Sequence, residues 1–184
     1  IDISVDQSGE ATTLTIRDNA GGVPREDAAM LFGLGQTAKE YIPGSIGTYG
    51  VGAKKSLVNL GVPFQISSRE LDADEGWSYR ITQEWFEDDH DWTVPVRETT
   101  DSDRGVTEIK IENLNYGWND ETGDLLRERL GEAYNIFLSE ELQQFHDKNY
   151  ALTIRVNGKP VEPEGLPEWS FSPFDGIHPR RFEN

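Results

Sequence analysis

The sequence predicts an α+β protein: a layered α/β sandwich in which a mainly antiparallel sheet is covered on one face by helices. Three observations point there. Short segments alternate apolar and polar residues between glycine, proline and acidic turns, which is the period-two signature of half-buried strands. Two longer segments, at 51–60 and 126–138, repeat apolar residues at helical spacing. The strands also come in runs rather than alternating one by one with helices, which favours antiparallel pairing.

Residues 1–6 and 12–17 both alternate, and the S-G-E link between them makes them an antiparallel pair. Residues 18–24 form a tight turn. Residues 25–32 fit a short helix with Glu26 and Asp27 in its first turn, where negative charge suits the helix dipole. Residues 34–46 hold Gly35, Pro43 and Gly44 without a sustained period, and read as a loop or lid. Val51, Leu57, Val58 and Leu60 form one apolar face of a helix that Gly61 can end. Residues 62–69, 77–84, 92–98 and 105–112 then read as strands of an antiparallel meander separated by acidic turns. Leu126, Leu130, Ala133, Phe137 and Leu138 place a helix, or a broken pair, over 120–145, and this stripe is core rather than a cofactor contact. In 151–162, Asn157-Gly158 marks a two-residue hairpin turn. The tail after Pro163 shows no period, and no internal repeat is visible.

The totals narrow the function. With 184 residues, 35% hydrophobic and 28% charged, the chain can bury one well-formed core. A net charge of −17 repels a phosphate backbone, so this segment is not expected to bind nucleic acid directly. The acidic surface fits either an ordinary well-solvated protein or one suited to a high-salt cytoplasm. Cysteine is absent, which excludes disulfides and thiolate chemistry. His90, His146 and His178 lack metal-ligand spacing. No apolar run approaches the ~18 residues of a membrane span and no signal peptide is visible, so a cytoplasmic location is expected. The chain opens on Ile1, inside a predicted strand, and reads as a fragment or a trimmed product.

Two glycine-bearing turns flank the predicted lid. Gly47, Gly50 and Gly52, with Thr48, Tyr49 and Val51 between them, open directly into the helix carrying Lys54 and Lys55. Glycines at a helix start let backbone N–H groups approach an anion, and the dipole favours negative charge there. Lys39, Lys54 and Lys55 are half of the six lysines in the chain. Lys54 in a first helical turn opposes the dipole unless an anion is bound nearby. The spacing is neither that of a P-loop nor that of a dinucleotide fingerprint. In the other turn, Asp18 ends an apolar strand and Gly21-Gly22 follow. A carboxylate at a pocket floor can accept a hydrogen bond from an exocyclic amine, worth about 1.5–3 kcal/mol. Taken alone, each turn is also an ordinary surface composition.

Together, D18-N-A-G-G22 and G47-T-Y-G-V-G52 resemble the paired motifs of the GHKL ATPases, the group of gyrase, ATP-driven heat-shock chaperones, histidine kinases and MutL. The run from T37-A-K39 through I46-G-T-Y-G-V-G-A-K54-K-S to L60-G61 is most similar to MORC-type and chaperone-type members. R104-G-V-T107-E-I-K-I-E-N-L114 resembles the later strand in which a threonine supports the adenine-binding aspartate, with Val106 where a glycine is common. The resemblance spans about residues 1–114 and implies a Bergerat-type ATP-binding fold. It implies ATP or ADP as ligand, with Asp18 on the adenine amine, Gly22 against the base and Thr107 assisting through its hydroxyl or a water. It places Asn19 in the motif without a defined role. Gly47, Tyr49, Gly50, Val51, Gly52 and Lys54 belong to the phosphate-cradling turn, and Lys39 is a possible contact to the terminal phosphate.

The family's remaining motif lies on a helix before the first strand and supplies a glutamate that activates water and an asparagine that holds Mg²⁺. Neither is present in this chain; Glu132 and Asn135 are too close together and on the wrong helix. No catalytic or metal-binding residue is therefore assigned. Three readings stand: an ATPase completed by residues outside this chain, a nucleotide-binding switch or scaffold that does not hydrolyse, and a histidine-kinase-like phosphotransferase domain. The resemblance also implies a nucleotide-dependent homodimer. The expected organisation is a nucleotide-binding core over 1–118, a helix plus hairpin over 119–163 and an irregular tail over 164–184.

Overall fold

The computed structural model describes residues 1–31, 52–88, 93–140 and 152–165. Eight strands form a single sheet: β1 (Asp2–Asp6), β2 (Thr13–Asp18), β3 (Phe64–Arg69), β4 (Gly76–Ile81), β5 (Arg97–Thr99), β6 (Val106–Ile111), β7 (Arg155–Val156) and β8 (Lys159–Pro160). Their spatial order is β5-β4-β3-β6-β2-β1-β7-β8. All pairings are antiparallel except β1 with β7. The helices are α1 (Gly52–Leu60), α2 (Gln83–Glu87), α3 (Asp120–Ala133) and α4 (Asn135–Leu138), and a 3-10 turn covers Arg25–Leu31.

The two faces of the sheet follow from the alternation in sequence. Ile3, Leu14, Phe64, Ile66, Tyr79, Ile81 and Ile111 point inward and are buried. Thr13, Thr15, Arg17, Gln65, Ser67, Glu108 and Lys110 occupy the alternate positions, none of them buried. Leu57 of α1 and Ile154, Val156 and Val161 of the C-terminal hairpin join the same core, and Leu126 and Leu130 of α3 pack against it. Each fully buried aliphatic or aromatic side chain contributes on the order of 1.5–3 kcal/mol. The α+β architecture with one helix-covered face is as the sequence predicts.

Two local expectations need correction. The strand at 105–112 does not extend a meander: β6 lies between β3 and β2, pairing with both. The strand expected over 77–84 stops at Ile81, because the Thr82 side chain accepts from Trp85 N–H at 3.4 Å and caps the short α2. Of the helix or broken pair expected over 120–145, the described residues show the broken pair: α3, capped by Asn119, which accepts from Thr122 N–H at 2.7 Å, and α4, parted from it at Tyr134. The Asn157-Gly158 turn forms as expected, with φ of 48° and 76°. Asn157 Oδ1 also accepts from Val5 N–H at 2.8 Å, which pins the hairpin to β1. The predicted lid at 34–46 and the tail after 165 lie outside the described residues, as does residue 92 of the predicted 92–98 strand.

On the polar face a paired Arg80 and Glu112 reach across β3. The Arg80 guanidinium holds the Glu112 carboxyl below its usual range. A depressed carboxylate stabilises the fold above its unfolded value, near pH 4.5, and loses that contribution as pH falls toward the folded one. Both side chains are partly exposed, so the contribution is under about 1 kcal/mol. Glu112→Gln is expected to lower urea stability at pH 7 and to show a smaller deficit as pH falls below 4.5; an equal deficit at all pH values contradicts the assignment.

Candidate functional site

The register of four strands builds the site. Asp18 pairs with Thr107, Thr107 with Ser68, and Ser68 with Trp77. Directly paired residues share a face, so these four side chains form one inward row at one end of the sheet. The next inward row is apolar: Ile16, Ile109, Ile66 and Tyr79. A polar row therefore caps an apolar floor.

The turn after β2 is fastened over that polar row. Asp18 Oδ1 accepts from Ala20 N–H at 2.9 Å. Gly21 N–H donates to Gly105 O at 3.0 Å, and Leu71 N–H donates to Gly21 O at 3.1 Å. Val23 is held on both sides: its N–H donates to Ser68 Oγ at 2.8 Å, and its carbonyl accepts from the Trp77 indole N–H at 2.8 Å. Gly22 has φ +79°, and a Cβ there would lie 2.1 Å from the Arg69 carbonyl oxygen. Only glycine lets the turn come this close to the end of β3.

Asp18, Asn19, Gly22 and Thr107 line one cleft of about 1090 Å³, together with the apolar side chains of Val23, Leu31, Leu57, Ile66 and Ile109. Four of the expected site residues are thus brought together. Gly52 is the first residue of α1 and Lys54 the third, on the same helix that sends Leu57 into the cleft. Lys39, Gly47, Tyr49, Gly50 and Val51 lie outside the described residues.

Ser68 was not singled out by sequence reasoning, yet it is fully buried. Besides accepting from Val23, its hydroxyl lies 3.2 Å from Val106 O and 3.0 Å from Thr107 Oγ1. The signal was available: in F-Q-I-S-S-R the period of two puts Ser68 on the same face as Phe64 and Ile66. A serine at a core position is a buried polar group in need of partners.

The cleft pairs polar groups with apolar walls. A carboxylate and a hydroxyl stand side by side above apolar walls, so a flat ring can be buried while its polar edge is read by Asp18 and Thr107. Among the described residues no three Asp, Glu or His side chains are placed to hold a metal ion. None of the described helices is long and apolar enough to cross a membrane.

Comparison with known proteins bears on this arrangement. Residues 1–114 match the family model described as histidine kinase-, DNA gyrase B-, and HSP90-like ATPase. The ATPase region of Saccharomyces cerevisiae topoisomerase II superposes with a TM-score of 0.55 at 18% identity, covering 87% of this chain and 42% of that one. The ATPase and transducer domains of DNA topoisomerase II from Balamuthia mandrillaris give 0.53 at 14% identity, with 88% and 42% covered. These likenesses are of fold, and the chain spans about two fifths of the length of either structure. No curated protein sequence matches the chain.

Proposed function

The chain belongs to the histidine kinase-, DNA gyrase B-, and HSP90-like ATPases, and from that premise we propose that its cleft binds ATP and ADP through Asp18 and Thr107. The observation that carries the reading is the pairing of Asp18 with Thr107 at the polar end of an otherwise apolar cleft. Adenine presents an amine donor next to a ring-nitrogen acceptor. A carboxylate that only accepts, beside a hydroxyl that can donate, is complementary to that edge. Guanine presents a carbonyl oxygen where adenine has its amine, and that oxygen meets the Asp18 carboxylate with two acceptors facing each other.

Lys54 and the turn from Gly47 to Gly52 are proposed to hold the phosphates, with Lys39 reaching the terminal one. Asn19, at the cleft wall, is kept as a contact without a defined role. Hydrolysis, a lid-driven conformational switch and nucleotide-dependent dimerisation are proposed for the complete protein, acting in the cytoplasm. For hydrolysis, the glutamate that activates water and the asparagine that holds Mg²⁺ are drawn from residues beyond those assigned here. Positioned acid–base groups and the metal supply much of the rate in phosphoryl transfer.

Isothermal titration calorimetry tests the reading. ATP and ADP are expected to bind with micromolar to millimolar Kd, and GTP at least tenfold more weakly, a difference of about 1.4 kcal/mol. Equal affinity for ATP and GTP, or no binding of either, removes the adenine assignment.

A further inference from the structure

We infer that Ser68 is a positioning residue for the base: it does not touch ligand, but sets which way the Thr107 hydroxyl faces the cleft. The inference rests on the nucleotide reading of the site given above. One hydroxyl offers a single donor and two acceptor positions. Ser68 Oγ is surrounded by three partners: the Val23 N–H, which can only donate; the Val106 carbonyl, which can only accept; and the Thr107 hydroxyl, which can do either.

The single Ser68 hydrogen can be placed in two ways, of which the second leaves Val106 O without it. In one, Ser68 donates to Val106 O and accepts from both Val23 N–H and the Thr107 hydroxyl. All three positions on Ser68 are then used, and Thr107 turns its lone pairs toward the cleft. In the other, Ser68 donates to Thr107 Oγ1, and the Thr107 hydrogen is released to donate into the cleft. The two acceptors of the Ser68 hydrogen lie 3.2 and 3.0 Å away, so neither arrangement is strongly favoured by distance. Thr107 can therefore accept when the cleft is empty and donate when a ring nitrogen, or a water bound to one, arrives beside it.

The surroundings make Ser68 suited to this and little else. It is fully buried, so water does not compete for its hydroxyl. Its Val23 bond fixes the cleft wall at the same time, and the Trp77 indole holds the Val23 carbonyl from the next strand. The direction of the Thr107 hydroxyl and the position of the Val23 wall are thus tied to one oxygen atom. A purely structural serine would need only the Val23 and Val106 bonds.

A double-mutant cycle on ATP affinity in the full chain separates the two roles. Ser68→Ala is expected to weaken ATP binding about fivefold, the size of one lost neutral hydrogen bond. In a Thr107→Val background, where no hydroxyl remains to be oriented, Ser68→Ala is expected to change affinity by less than about twofold. Ser68→Cys, which keeps the shape with a weak donor and acceptor, serves in place of the alanine variant should that one unfold. Equal losses in the two backgrounds overturn the inference and leave Ser68 as a structural tie for Val23. No loss in either background overturns it as well. Failure of the unsubstituted protein to bind ATP defeats the nucleotide reading itself, an outcome distinct from additive losses in a protein that binds.

Discussion

Asp18→Asn lowers the affinity for ATP by tenfold or more while leaving the thermal unfolding midpoint within a few degrees of the unsubstituted protein. The asymmetry comes from what the carboxylate does in each state. In the fold it accepts one hydrogen bond, from Ala20 N–H at 2.9 Å, and an asparagine oxygen can accept that bond equally well. Toward an amine the carboxylate offers a second, charged oxygen, and a charge-assisted bond of this kind is worth about 1.5–3 kcal/mol. Asparagine replaces that oxygen with an NH₂ group, so a donor then faces a donor. The expected loss is at least ~1.4 kcal/mol of binding free energy, tenfold in Kd. The variant also relaxes discrimination, because the new NH₂ can donate to the carbonyl oxygen of guanine. Calorimetry with ATP and GTP reads both effects. An unchanged ATP affinity excludes Asp18 from the base site, and a midpoint that collapses assigns it to the fold instead.

The sequence carried the local parts of this structure and missed what depends on distant partners. Strands with a polar face and an apolar face announce themselves, since T-L-T-I-R in β2 and E-I-K-I in β6 alternate at every step. The Asn157-Gly158 turn is legible because positive φ at both positions suits few other residue pairs. The position of β6 is not legible in the same way. Its alternation is identical whether it pairs with β5 in a meander or with β2 and β3, and only long-range register decides. That placement makes the site, because it brings Thr107 between Asp18 and Ser68. Motif resemblance pointed to Asp18 and Thr107 without it, whereas Ser68, which belongs to no motif, needed the register. The Thr82 cap that ends β4 was readable in principle, but a strand pattern read as far as Glu84 outweighed it.

Gly22→Ala is expected to cost more stability than any other conservative change in the site, about 3 kcal/mol or more, and to abolish nucleotide binding with it. Gly21→Ala provides the control. Both glycines have positive φ, +113° for Gly21 and +79° for Gly22, so both substitutions carry a conformational cost of about 1–3 kcal/mol. They differ in what a methyl group meets. Nothing lies within 4 Å of a Cβ on Gly21, whereas a Cβ on Gly22 falls 2.1 Å from the Arg69 carbonyl oxygen and 2.9 Å from Glu70 Cα. Those atoms are backbone at the end of β3 and cannot rotate away, so either the turn or the strand end must move. The turn is tied at Gly21 to Gly105 and Leu71, and at Val23 to Ser68 and Trp77. Relief of the clash therefore breaks some of these bonds and withdraws Asn19 and Val23 from the cleft wall. Urea unfolding of the two variants separates the contributions: a deficit for Gly22→Ala well beyond that of Gly21→Ala assigns the excess to the contact with β3. Equal deficits reduce Gly22 to a residue chosen for its backbone angle alone.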